Sequence, residues 1–312
     1  MPPSPDLLAE LARIAGPEAV ITGDDAAPLL TEWRGRWTGE APLVLAPASV
    51  TAVQEIVRFC ARHRIGITPQ GGNTGLVGGQ VPQGQVLVTL RRLRGIRAVS
   101  PDSNTMIVEA GLTLAEAQAA AEAADRLFPL SIGSEGSCEI GGVISTNAGG
   151  VNVIRYGNMR DLVLGLEVVL ADGTVWNGLN TLRKNNTGYD LKHLFIGGEG
   201  TLGIVTAAAL KLYPRPSQRV TAFAALPSTT AAVELLSLVQ GETGGLATSF
   251  ELFNAATLEL TLAQFPELSR PVETKSPCYA LMEFATGSGT DLATAIEAAL
   301  ATAMERELVL DG

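Results

Sequence analysis

Apolar residues recur along the chain at two spacings. Residues 6–14 carry them three and four apart, the period of an amphipathic helix. Residues 41–46 (APLVLA) read as a short buried strand. The next helix opens within 47–51 with Ser49 or Thr51 as its N-cap, and its apolar face is Val53, Ile56, Val57 and Cys60. Strands are predicted at 66–69, 85–90 and 105–110, and a helix at 114–124. Residues 164–171 and 174–176 flank Asp172-Gly173, a hairpin signal that predicts a two-residue turn with positive φ at both central positions.

Further along, Pro214-Arg215-Pro216-Ser217 interrupts both helix and ladder hydrogen bonding and reads as a linker. Past it, 219–226, 229–239, 248–253, 255–263, 278–283, 292–304 and 308–310 alternate strand with helix. This predicts antiparallel strands backed by helices, so the fold class is α+β. The domains expected are 1–216, with a core of about 40–216, and 217–312. A sequence that stops at Asp311-Gly312, a turn dipeptide after a strand, reads as C-terminally truncated.

Composition changes the picture in three ways. The 312 residues are 46% hydrophobic and 17% charged, which excludes a disordered chain. The net charge is −10, and residues 217–312 hold four basic against twelve acidic side chains, with no basic patch for nucleic acid. Three cysteines, Cys60, Cys138 and Cys278, without CxxC spacing fit a reduced chain. With no signal peptide or membrane span legible, a cytoplasmic location is expected.

The chemistry concentrates in glycine-rich stretches. Between Arg64 and Arg91 lie 26 residues without a charge, seven of them Gly. The segment TPQGGNTGLVGGQVP has neither P-loop nor GxGxxG spacing. Such a loop can turn several backbone N–H groups toward an anion, with Asn73 and Thr74 as further donors. A tight turn between strands is the plain alternative, weakened by the glycine density. The segments GSEGSCEIGGVISTNAGG and GGEGTLGIVT repeat the theme, and a large, flat, anionic ligand accounts for all three economically.

The runs PQGGNTGLVGG, GSCEIGGVISTNAGG, RYGNMRDLVLGLEVVLADGTV and KNNTGYDLKHLFIGGEGTLGIVT resemble the FAD-binding (PCMH-type) domain of the vanillyl-alcohol-oxidase superfamily, nearest its D-2-hydroxyglutarate dehydrogenase, glycolate oxidase and D-lactate dehydrogenase group. The resemblance implies a two-lobed FAD-binding domain followed by part of an α+β, ferredoxin-like substrate or cap domain. It implies non-covalent FAD, since the first loop has no histidine. It places the diphosphate at Pro69, Gln70, Gly71, Gly72, Asn73, Thr74 and Gly75. Ser137, Gly141, Gly142, Thr146 and Asn147 would line the flavin side, with Pro129, Gly133 and Ile204 also approaching the cofactor.

The implied partners are a small 2-hydroxy acid and an electron acceptor, protein or quinone. A homodimer is one assembly it allows. The family's metal-binding histidines have no counterpart here, so a divalent metal belongs only to a full-length form and no catalytic residue is assigned. His63 and His193 read as structural. Cys138 reads as a small buried residue near the cofactor, and EWRGRW as an arginine–aromatic stack pinning the N-terminal segment. Arg155 and Tyr156 either border the flavin or pack locally. For Lys184, Asn185, Asn186 and Tyr189, contact with the cofactor and a plain polar loop are equally weighted.

Overall fold

The structure is a computed structural model that describes residues 3–312 apart from Ser288 and Thr290. The chain forms two compact units. One comprises 1–148 and 158–213; the other comprises 149–157 and 214–312.

The first unit contains two sheets. In the smaller, the strands run in the order Val20–Ile21, Val44–Leu45, Val86–Thr89, Ile67–Gln70. The last three are mutually parallel. Val86–Thr89 (VLVT) is buried along its whole length, as an unbroken apolar run between two parallel neighbours should be. The helix Val50–His63 lies between Val44–Leu45 and Ile67–Gln70 in sequence. Ser49 caps it by accepting from Ala52 N at 3.1 Å, and Val53, Ile56, Val57 and Cys60 are all buried. It ends at Arg64 in the left-handed conformation, φ 55°. His63, in the last turn, packs its ring 4.4 Å from that of Phe59.

The larger sheet is antiparallel in the order Ile96–Ser100, Thr105–Glu109, Gly203–Lys211, Val163–Leu170, Val175–Asn177. The hairpin at Asp172-Gly173 differs from expectation, because only Gly173 has positive φ, 81°. Gly173 N donates to Leu170 O and Leu170 N to Thr174 O, each at 2.8 Å, so the loop has three residues. This is a type I turn followed by a left-handed glycine, which demands positive φ once. Asp172 reinforces it by accepting from Thr174 N at 2.7 Å.

The second unit is built on an antiparallel sheet in the order Gln218–Leu226, Cys278–Thr286, Ala247–Asn254. Against it lie the helices Thr229–Glu242 and Leu292–Glu305, joined in one core through Leu226, Leu235, Phe284 and Ile296. A second cluster gathers Ala225, Leu258, Val272 and Tyr279 with Phe223 and Phe253. The strand expected at 308–310 is a single bridge, Ala225 to Asp311. The helix ends at Glu305 and Glu307 turns left-handed, φ 57°, which takes the chain out of the helix just before that bridge.

Residues 149–157 were expected in the first domain but belong to the second unit. Arg155, on the short helix Val153–Tyr156, donates to the carbonyls of Leu246 and Ala285. Its guanidinium also lies 5.3 Å from the Tyr156 ring centroid. These contacts of Arg155 are local packing.

Candidate functional site

The strand Ile67–Gln70 runs directly into the glycine loop, and the loop forms one wall of a cavity of about 430 Å³. Pro69, Gln70, Gly71, Gly72, Asn73, Thr74 and Gly75 line it, and Gly141, Gly142, Thr146 and Ile204 face them. Among the described residues, no intrachain hydrogen bond starts from the N–H of Gly71, Gly72, Asn73, Thr74 or Gly75. Unspent backbone donors in a row are the raw material of an anion site.

The loop is shaped by one left-handed residue and one close approach. Asn73, not a glycine, takes φ 55°. Its amide does not face the ligand space as expected, because Nδ2 donates to Pro28 O at 3.0 Å and Thr31 O at 2.8 Å. Asparagine tolerates this conformation, and its side chain ties the loop to the N-terminal segment. Gln70 acts likewise, donating to Leu29 O at 2.8 Å and Gln80 O at 3.0 Å. Gly72 is required by proximity, since a Cβ there would stand 1.8 Å from Ser137 O.

A second cavity, of about 370 Å³, lies beyond Gly71, Gly72 and Asn73 and is lined also by Arg91, Arg94, Thr113 and Ser137. Ser137 thus faces this cavity and not the larger one. Pro129, Gly133 and Asn147 line neither. Asn147 instead accepts from Arg160 N at 2.9 Å and steadies the return of the chain. Lys184, Asn185, Asn186 and Tyr189 are exposed and also line neither.

Glu139 was missed by the sequence reading. It lines both cavities, is only 6% exposed, and its Oε2 is buried without a hydrogen-bond partner. Burial pushes its carboxyl up to about 8. It is one of two acids, with Glu135, in the glycine-rich stretch 133–150, and that was the available signal.

The cysteines and histidines behave as structural groups. Cys138 lines the larger cavity, and burial raises its thiol; Cys60 is pushed up to about 12 by the same cause. His193 Nδ1 lies 3.0 Å from Arg160 Nη1, which can only donate, so the ring proton sits on Nε2, 3.3 Å from Asp190. Among the described residues no three His, Cys, Asp or Glu side chains converge on a metal position. No described helix is long and apolar enough to cross a membrane.

The arginine–aromatic segment is tied to the glycine loop itself. The Arg34 guanidinium lies 5.7 Å from the Trp33 ring centroid. It donates to Leu76 O at 3.2 Å and to the buried Glu32 at 3.1 Å. Burial alone would raise the Glu32 carboxyl, but hydrogen bonds from Arg34 and Arg36 hold it below the usual range.

Residues 41–178 match the FAD binding domain family FAD_binding_4, and 215–312 match FAD-oxidase_C, the C-terminal domain of FAD linked oxidases. The chain therefore carries, in this order, an FAD binding domain and the C-terminal domain of FAD linked oxidases. It is 38% identical over 282 residues to the mitochondrial D-2-hydroxyglutarate dehydrogenase of Rattus norvegicus, covering 90% of this chain and 52% of that protein. It is 37% identical over 311 residues to that of Bos taurus, covering 99% and 57%. Solved alkyldihydroxyacetonephosphate synthase is 19% identical with a TM-score of 0.79, covering 99% of this chain and 60% of that one; this likeness shows the fold. The chain spans about half the length of the curated relatives it matches. The cytoplasmic location is corrected by the same findings, since the rat and bovine relatives are mitochondrial enzymes. Cysteine spacing reports the redox state of a compartment and does not separate one reducing compartment from another.

Proposed function

We propose that this chain carries the FAD-binding part of a dehydrogenase acting on a D-2-hydroxy acid of the 2-hydroxyglutarate kind, with electrons leaving to a separate acceptor. In this reading 1–216 is the FAD-binding domain and 217–312 part of a substrate or cap domain. The carrying observation is the row of unspent N–H groups at Gly71, Gly72, Asn73, Thr74 and Gly75 along a cavity wall. They would hold the diphosphate without a lysine.

The residues present fit the cofactor in two further respects. A Cβ added at Gly142 would meet nothing within 4 Å, so the glycine leaves the cavity open for a flat ring. Glu139, which borders the same cavity, holds a buried Oε2 with no hydrogen-bond partner. When bound, FAD supplies the acceptor for a hydride from the substrate α-carbon. The chain's own part is to grip the diphosphate through 71–75, to admit the ring past Gly141 and Gly142, and to exclude water with Ile204 and Val205.

The half-length match favours a second reading, in which this stretch binds flavin but does not turn over alone. The test adds FAD, a dye acceptor and D-2-hydroxyglutarate to the purified chain, with D-lactate and glycolate as comparators. Dye reduction selective for D-2-hydroxyglutarate supports the first reading, and bound yellow flavin without reduction supports the second. A colourless protein that ignores FAD defeats both.

A further inference from the structure

We propose that Glu139 serves FAD as a neutral carboxylic acid, donating its proton in a hydrogen bond to an oxygen of the cofactor, so that the chain loosens its hold on FAD in alkaline solution. This rests on the FAD reading above.

The geometry supplies the argument. The Glu139 side chain borders both cavities. Its Cβ lies 3.5 Å from the position a Cβ on Gly71 would take, at the head of the unspent N–H row. Its buried Oε2 has no partner in the chain. An ionised carboxylate there would be both desolvated and set against the anion the loop attracts. Protonation reverses both effects, because the neutral acid carries an O–H donor and no charge.

The groups facing Glu139 are few. Arg91 and Arg94, after the strand Val86–Thr89, favour its ionised form, and Glu116, on the helix Leu114–Ala123, opposes it. Arg94 is already engaged by the Glu116 carboxylate, and Glu199 adds a further acidic group along the larger cavity. Burial outweighs the two arginines, and the carboxyl is raised to about 8. It is therefore neutral at pH 7 and titrates within reach of ordinary buffers.

The experiment measures the FAD dissociation constant of the purified chain by flavin fluorescence from pH 6.5 to 9.0. FAD's diphosphate has no titrating proton in this window. The wild type should bind about tenfold more weakly at pH 9.0 than at pH 7.0, one proton being lost per cofactor released. Glu139→Gln keeps a donor without a titrating proton. It should bind within about threefold of the wild type at pH 7.0 and show a flat profile. A flat wild-type profile, or parallel profiles in the two proteins, overturns the proposal while leaving FAD binding intact. Absence of FAD binding at every pH overturns both. Should the variant not fold, the infrared difference spectrum on adding FAD to the wild type decides. A shift in the carbonyl band of a protonated carboxyl supports the proposal, and its absence overturns it.

Discussion

Gly72 and Ser137 meet so closely that a Cβ on the glycine would stand 1.8 Å from the serine carbonyl oxygen and 3.0 Å from the Cα of Cys138. Two segments of the chain are thereby pressed together by the absence of one methyl group. The neighbouring Gly71 differs, for its Cβ would make ordinary contacts of 3.5 Å with Glu139 and Gly142. Gly72→Ala should therefore cost about 3 kcal/mol and strip the protein of flavin, while Gly71→Ala should cost under about 1 kcal/mol. Urea unfolding of both variants checks this, and equal losses would refute the steric account. The constraint is on space, since Gly72 is not among the residues of positive φ.

Asn73 combines a left-handed backbone with two side-chain bonds to Pro28 and Thr31. Asn73→Ala should lose both bonds and pay for φ, about 2–3 kcal/mol in all. Asn73→Gly should recover about 1 kcal/mol of this by removing the backbone penalty alone. Hydrogen exchange at 28–31 should accelerate in both variants. A glycine variant no better than the alanine variant would show that φ is unimportant here.

Much of the scaffold was legible because its signals are local. Ser49, followed by Val53, Ile56, Val57 and Cys60 at helical spacing, defined its helix without help from the rest of the chain. The uncharged run through 65–90 likewise singled out the loop that lines the larger cavity. What stayed illegible depends on partners distant in sequence. Asn73 looked like a free donor because nothing near it in the chain hinted at Pro28. Glu139 looked ordinary because only the fold removes it from water. Pro129 and Gly133 came from resemblance and find no place on either cavity wall.

Glu139 also predicts how stability responds to pH in the absence of cofactor. Its carboxyl is raised from an ordinary 4.5 to about 8. Below 4.5 both folded and unfolded chains hold the proton. Between 4.5 and 8 only the unfolded chain releases it, so this group erodes stability as pH rises and the loss levels off above 8. Glu139→Gln should be more stable than wild type at pH 7 by about 3 kcal/mol and indistinguishable at pH 4. Denaturant titrations at the two pH values check the sign.

Arg97 reaches Glu167 with both terminal guanidinium nitrogens, Nη1 and Nη2, at 3.2 and 3.0 Å, and Thr206 donates to the same carboxylate at 2.9 Å. Glu167 is 8% exposed, so removing its cation strands a buried charge. Arg97→Met should cost about 3 kcal/mol, and adding Glu167→Gln should restore part of the loss. Strict additivity of the two changes would mean that the pair does not interact.

The detour of 149–157 into the second unit has a consequence for anyone who would cut the gene at the proline pair. A fragment beginning at Pro214 would lack Arg155, whose guanidinium bonds the carbonyls of Leu246 and Ala285. A fragment ending there would keep that stretch as an orphan. On the ribosome, too, the detour emerges well before the strands that receive it and must wait for them, so the second half of the molecule closes only when an early piece of the chain is called back into use.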